Sequence, residues 1–165
     1  MTSTITKEQF RAIMGSFAAG VTVVTTVDAS GALFGLTATA FSSLSLDPPL
    51  CLVCIDNRAG SLPALLESKR FAVNMLRADQ TDLSNRFASP IPNKLEGVSW
   101  QPGPATECPL LEGTIASMEC TVVNVFPGGD HQILIGELQR ISVAEGDPLL
   151  YFRGGYADLA RRPKA

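Results

Sequence analysis

The stretch Thr121-Val122-Val123-Asn124-Val125-Phe126-Pro127-Gly128-Gly129-Asp130-His131-Gln132-Ile133-Leu134-Ile135-Gly136-Glu137-Leu138 decides the reading of the fold. Two β-like runs flank the tripeptide Gly129-Asp130-His131, and the pattern extends to long strands over residues 115–125 and 132–143. The tripeptide holds the only histidine of 165 residues. An acid, a glycine and an imidazole at the start of a strand can face a ligand without disturbing a core. The plain alternative is a surface turn in which His131 is simply bonded to Asp130.

Working outward, further strand-like runs accumulate. Residues 21–27 are a β-branched run of Val and Thr. Asp28-Ala29-Ser30-Gly31 has turn chemistry, so residues 33–39 are expected to return as a hairpin partner. Asp47-Pro48-Pro49 breaks the chain before a strand over 50–55; residues 71–76 form another, and 149–152 a short edge. Helices are few and short. Thr6 with Gln9 makes a capping-box pattern, and Phe10, Ile13, Met14 and Phe17 give the first helix one apolar face. Residues 61–68 and 79–87 are the others, the last with Leu83 and Phe87 on one face. Residues 88–109 read as a loop, with Pro90, Pro92, Pro102, Pro104, Pro109 and the sole tryptophan, Trp100. Many strands with only short helices predict a mainly antiparallel β-barrel rather than an α/β sheet.

Composition bounds the function. One domain over residues 1–165 is expected. Charged residues make up 18%, low against a typical quarter, which leaves room for a buried subunit interface and suits a homodimer. A net charge of −3 and a pI near 5.1 argue against a nucleic-acid surface. No apolar run reaches membrane-span length, and Lys7, Glu8 and Arg11 stand where an export signal needs an apolar core. The four cysteines do not form a site. Cys51 and Cys54 are three apart in a strand, so they face opposite ways and cannot share a metal. Core packing is expected for Cys51, Cys54 and Cys120, and exposure for Cys108 in the Pro-rich stretch. Free thiols fit a cytoplasmic location.

Several chemistries are missing: a GxGxxG turn between strand and helix, a Walker A loop and a GxSxG elbow. No pair of carboxylates stands out. What remains is small and hydroxylic. Thr37-Ala38-Thr39-Ala40-Phe41-Ser42-Ser43-Leu44-Ser45 carries no charge and suits a flat polar heterocycle, because small side chains let a ring approach main-chain donors. Asn57-Arg58-Ala59-Gly60-Ser61 precedes a helix and suits a phosphate. Read alone, the first segment is better taken as a tightly packed strand with a Ser-rich turn, and the second fits a plain helix cap at least as well.

The ordered set of motifs resembles the short-chain flavin reductases, the reductase components of two-component flavin monooxygenases, within the wider group of FMN-binding split barrels. The segments that carry the resemblance are Met14-Gly15-Ser16-Phe17-Ala18-Ala19-Gly20-Val21-Thr22-Val23-Val24-Thr25-Thr26, Gly35-Leu36-Thr37-Ala38-Thr39-Ala40-Phe41, Ser43-Leu44-Ser45-Leu46-Asp47-Pro48-Pro49 and Phe71-Ala72-Val73-Asn74-Met75-Leu76. The later ones are Gly129-Asp130-His131, Gly136-Glu137 and Pro148-Leu149-Leu150-Tyr151-Phe152-Arg153-Gly154-Gly155-Tyr156.

The resemblance implies a Greek-key split barrel with short peripheral helices, and NAD(P)H-dependent reduction of FMN or FAD for a partner monooxygenase. It places Thr37, Ala38, Thr39, Ala40, Phe41, Ser43 and Leu44 on the isoalloxazine and ribityl chain. Arg58, Ala59, Gly60 and Ser61 fall on the phosphate side, with Phe87 near the flavin. Asp130, His131, Tyr151, Phe152, Arg153 and Gly154 fall toward the nicotinamide nucleotide, with His131 as the candidate catalytic residue. NADH is the expected donor, with NADPH open. Two other classes stay open: a split-barrel oxidoreductase that holds FMN tightly and acts on one small molecule, and a non-catalytic flavin-binding protein.

Overall fold

The computed structural model describes residues 4–162. Thr6 caps helix α1 (Lys7–Gly15): its hydroxyl accepts from the Gln9 amide while Gln9 Oε1 accepts from the Thr6 amide, a complete capping box. The chain then forms β1 (Ala19–Gly20), β2 (Thr22–Val27) and β3 (Leu33–Ala38). The β2–β3 turn is held by Asp28, whose Oδ1 accepts from the amides of Ser30 and Ala32 and from the Ser30 hydroxyl. Next come β4 (Phe41–Ser45), β5 (Leu50–Asp56), α2 (Leu62–Ser68), β6 (Arg70–Met75) and α3 (Thr81–Ala88). The last elements are β7 (Trp100–Pro102), β8 (Pro109–Leu111), β9 (Ala116–Gly128), β10 (His131–Val143), β11 (Leu150–Phe152) and β12 (Gly155–Ala157).

Seven strands form one antiparallel sheet in the order β3-β2-β6-β9-β10-β5-β4. Its two edges, β3 and β4, are consecutive in the chain and joined only by Thr39-Ala40. Three peptide steps reach about 10 Å at most. The sheet must therefore curl until its edges nearly meet, which makes a barrel with a split between β3 and β4. The main-chain ladder ends at that split, so every second residue of each edge strand directs N–H and C=O groups into it.

The barrel is filled from alternate strand positions, with Val24, Val53, Ile55, Phe71, Val73 and Leu134 inaccessible to solvent, and Leu65 of α2 is buried with them. Gly136 is glycine because a Cβ there would lie 2.4 Å from the Phe71 ring. A second cluster, Val21, Val23, Leu76, Phe87, Leu95, Leu111 and Leu149, packs outside β2 and under the 88–99 segment.

The proline-rich stretch is not simply loop. It contains the β7–β8 hairpin, docked through two buried polar side chains that pattern reading passes over. Asn74 Nδ2 donates to the carbonyls of Val23 and Pro109, and its Oδ1 accepts from the Leu111 amide. Glu119 Oε2 accepts from the amides of Ala105 and Thr106 and from the Thr106 hydroxyl. Docking this hairpin buries Cys108 completely, against the expectation of exposure. Cys51 and Cys54 point to opposite sides as expected: Cys51 is buried with its Sγ 3.8 Å from Cys120 Sγ, and Cys54 is half-buried.

Candidate functional site

Two of the clefts beside the split are bordered by strand β3. The larger encloses about 970 Å³. Its walls are residues 32–37, the corner Arg58-Ala59-Gly60-Ser61, and the 87–96 segment with Trp100. The smaller, about 390 Å³, lies between Thr37 and Thr39 on one side and Tyr151, Gly154 and Tyr156 on the other. Thr37 and Ala88 line both, so the clefts adjoin at the end of β3.

The candidate residues divide among these places. At the corner, Ser61 is buried, yet its hydroxyl makes no capping bond to α2, so a donor is left facing the cleft. Arg58 is highly exposed and held by Asp56, donating from Nε at 3.1 Å and from Nη2 at 2.7 Å. That guanidinium holds the Asp56 carboxyl well below the usual carboxylate range. At the split, Thr39 and Ala40 are exposed, Ala38 is buried, Phe41 is half-buried, and Ser43 and Leu44 face solvent. Thr37 Oγ1 donates to the Ser84 carbonyl at 2.6 Å, fixing β3 to α3. Phe87 is fully buried beneath β3, where its ring leaves no room for a side chain at Gly35; it shapes the floor of the larger cleft.

The nicotinamide candidates do not come together within one protomer. Gly129 takes a positive φ of 70° and lets the turn close. His131 Nδ1 then lies 2.7 Å from Asp130 Oδ1, and the imidazole holds the Asp130 carboxyl below its ordinary value. The Asp130 carbonyl accepts from the Asn57 amide, and His131 is the cross-strand partner of Asp56. The Gly-Asp-His turn therefore sits against the Arg58 segment and lines neither cleft. Tyr151, Phe152, Arg153 and Gly154 are instead on the β11–β12 hairpin, which pairs with β1 and turns through Arg153 and Gly154, both at positive φ. Arg153 stacks over Phe152 at 5.2 Å, and its amide donates to the Gly15 carbonyl.

Three residues that sequence reasoning missed shape these clefts. Tyr156 bonds α3 through its hydroxyl, Ser84 relays that contact to Thr37, and Trp100 walls the larger cleft. Tyr156 and Trp100 carried a signal, as an aromatic in a Gly-Gly turn and the sole indole of a long Pro-rich stretch. Ser84 carried none.

A split antiparallel barrel with an open edge and two adjoining clefts has the shape of a small-molecule-binding barrel. Comparison with known proteins gives this class a family. Residues 14–160 match the model of the flavin reductase like domain. The chain is 38% identical over 162 residues to the flavin-dependent monooxygenase reductase subunit HsaB of Mycobacterium tuberculosis, across 96% of this chain and 86% of that one. It is 42% identical over 157 residues to the flavin reductase (NADH) of Kitasatospora aureofaciens, across 91% and 80%. The Streptomyces globisporus C-1027 NADH:FAD oxidoreductase SgcE6, solved in complex with NAD and FAD fragments, superposes with a TM-score of 0.91 at 30% identity, across 99% of this chain and 100% of that one. The chain belongs to the flavin reductase-like family.

Proposed function

We propose that this protein is an NAD(P)H:flavin oxidoreductase that reduces a diffusing flavin and supplies it to a partner monooxygenase. The observation that carries this reading is the adjoining of the two clefts at Thr37. One cleft ends in a corner suited to phosphate, and the other is bounded by an aromatic hairpin. The donor set fits a flavin: unpaired main-chain groups at the split for the ring edge, the free Ser61 hydroxyl and Arg58 for the phosphate. A bound flavin supplies the hydride acceptor, N5, to which C4 of NADH or NADPH transfers.

The chain's part is placement. Thr37, Ala38, Thr39, Ala40 and Phe41, with Ser43 and Leu44, present a low, charge-free surface on which a ring lies flat. Arg58, Ala59, Gly60 and Ser61 hold its phosphate end, and buried Phe87 fixes the floor. Tyr151, Phe152, Arg153 and Gly154 position the nicotinamide nucleotide from the opposite side. His131, which lines neither cleft of its own protomer, orients that nucleotide only from a partner copy, braced by Asp130, rather than moving a proton. Holding two rings in register is where such a site gains rate. The exposure of Thr39, Ala40, Ser43 and Leu44 suits release of reduced flavin.

The working unit is a homodimer of this one domain. Helix α1 buries no residue: Phe10, Ile13 and Met14 are all more than half exposed, as are Phe17 just after it and Ile141 and Val143 on β10. So much uncovered apolar surface on a chain of low charge calls for a second copy. Among the described residues no helix is long and apolar enough to cross a membrane; the free thiols suit the cytoplasm.

The test is to purify the protein, record its flavin content, and follow NADH loss with and without added flavin. Consumption that depends on added flavin supports the proposal. Stoichiometric retained flavin with no response to added flavin points to a dedicated oxidoreductase, and no consumption at all to a binding protein. Light scattering at micromolar concentration tests the dimer.

A further inference from the structure

Resting on that reading, we infer that residues 97–111 form a flap on the larger cleft, latched to the barrel by Glu119, and that its undocking admits and releases flavin. β7 and β8 make a two-stranded sheet of their own, outside the seven-stranded sheet of the barrel. Each strand is three residues long. Pro102 faces Pro109 across the pair, and neither can donate to the ladder. A hairpin this short is not stable alone, so its order comes from docking.

The docking is polar at both ends. At the base, Thr25 Oγ1 donates to the Pro109 carbonyl at 2.6 Å, and Asn74 Oδ1 accepts from the Leu111 amide at 2.8 Å. At the tip, Glu119 Oε2 accepts from the amides of Ala105 and Thr106 at 2.9 and 2.7 Å and from the Thr106 hydroxyl at 2.8 Å. The latch fits closely: a Cβ at Gly103 would overlap the Glu119 carboxylate. Glu119 is only 1% exposed, and its Oε1 is buried with no donor among the described residues. The docked state bears the penalty of that bare oxygen, and undocking brings solvent to it. The apolar contact beneath the tip is a small cluster of its own: Val27, Ala72 and Cys108, with Leu33 and Leu110 packed against it. Polar clasps and a thin apolar footing are the marks of a unit that opens before the barrel does.

The chain on either side is held separately. Arg86 Nη2 donates to the Glu96 carbonyl at 2.6 Å, and Gln80 Nε2 to the Glu112 carbonyl at 3.0 Å. Both ends of the flap are thus fixed to α3 or its N-cap. Gly97, at φ 73° with open space around it, supplies freedom to move just past the first anchor. Trp100 lies on the flap and lines the larger cleft. Docked, the flap completes that wall; undocked, it removes it.

Cys108 reports on the flap, because it is buried beneath it, while Cys51 and Cys120 are buried in the barrel. The native protein is labelled with N-ethylmaleimide, and each thiol is followed by peptide mass mapping. Cys108 is expected to react more slowly than half-buried Cys54 but about tenfold or more faster than Cys51 and Cys120, since a local opening lies below the global one in free energy. FAD at about a hundred times its Kd should slow Cys108 labelling about tenfold or more, because it binds the docked form better. Gly103→Ala and Glu119→Gln should each speed both Cys108 labelling and FAD release about tenfold, the equivalent of one lost hydrogen bond to a charged group. Continued protection of Cys51 and Cys120 shows that the variants are folded, and if they are not, the wild-type rates decide. One common rate for Cys108, Cys51 and Cys120 means that the hairpin opens only with the barrel and overturns the inference. Separate opening of Cys108 that saturating FAD leaves unchanged overturns it too, since the flap then does not close on flavin. FAD that fails to bind at all overturns the underlying reading, and the flap's role with it.

Discussion

The Tyr156 hydroxyl lies 2.9 Å from Ser84 Oγ, and the carbonyl of the same Ser84 accepts from Thr37. The C-terminal hairpin is thereby tied, through α3, to the strand that borders both clefts. Asn85 Oδ1 adds a second partner for Tyr156 at 2.7 Å. The bond sets how far the hairpin stands from Thr37. Tyr156→Phe keeps the edge-to-face contact with Tyr151 and removes only the tether. A lost hydrogen bond is worth about 0.5–1.5 kcal/mol. We expect the KM for NAD(P)H to rise about two- to tenfold with flavin affinity unchanged. An unchanged KM, or an equal loss for both ligands, would show that the tether does not govern the nucleotide side.

His131→Ala is expected to impair NAD(P)H use selectively and to spare flavin affinity. Flavin titration by fluorescence, with steady-state assays across NAD(P)H concentrations, separates the two. The imidazole lies beside Asp56 and Arg58, so a rival outcome is defined: if flavin affinity falls and NAD(P)H kinetics are preserved, His131 serves the phosphate corner.

The phosphate corner makes a prediction of opposite signs. Arg58→Ala combined with Ser61→Ala should weaken FMN binding by about 1.5–3 kcal/mol, the range for hydrogen bonds to a charged group, and leave riboflavin unaffected. Asp56→Asn should tighten FMN binding, because the carboxylate now competes with phosphate for the same guanidinium. Mild acid does not substitute for that variant. The folded Asp56 value is depressed, so its pairing with Arg58 is present above the ordinary aspartate pKa of about 3.9 and is lost only as pH falls below it. Calorimetric titration with FMN and riboflavin checks each part; equal losses for both ligands would move the phosphate elsewhere.

Much of the barrel is legible in the sequence because its strands carry their own signal. Runs such as residues 21–27 and 50–55 are β-branched or apolar throughout, and the Asp28 turn chemistry closes one hairpin. β4 is different. Phe41-Ser42-Ser43-Leu44-Ser45 is an edge strand with mostly exposed side chains, so it lacks a buried alternation and reads as a Ser-rich turn. The β7–β8 hairpin hides for another reason: its strands are three residues each and rich in proline, and they are held by Asn74 and Glu119 from distant strands. The site follows the same rule. Thr37, Arg58 and Ser61 stand in contiguous motifs, whereas the meeting of Tyr156, Ser84 and Thr37 is made by tertiary packing alone.

The thiols give a check on the packing. Burial pushes the Cys108 thiol up, and hydrogen bonding to Cys51 together with burial pushes Cys120 up further. Cys51 and Cys120 meet beside Gly136 from the strands on either side of β10, with their sulfurs 3.8 Å apart and not bonded. With an aromatic disulfide reagent at neutral pH, only half-buried Cys54 should react quickly in the native protein, and all four thiols after unfolding. Rapid native reaction of Cys108 would mean that the β7–β8 hairpin is not docked.

On the proposed reading, this chain passes hydride from a nicotinamide nucleotide to a flavin that comes and goes. The most direct measurement is anaerobic mixing of catalytic protein with NADH and excess FAD, following both absorbances. One flavin should be reduced per NADH consumed, through many turnovers per protein. Reduction that stops at one flavin per protein, or NADH that persists beside oxidised flavin, would contradict it.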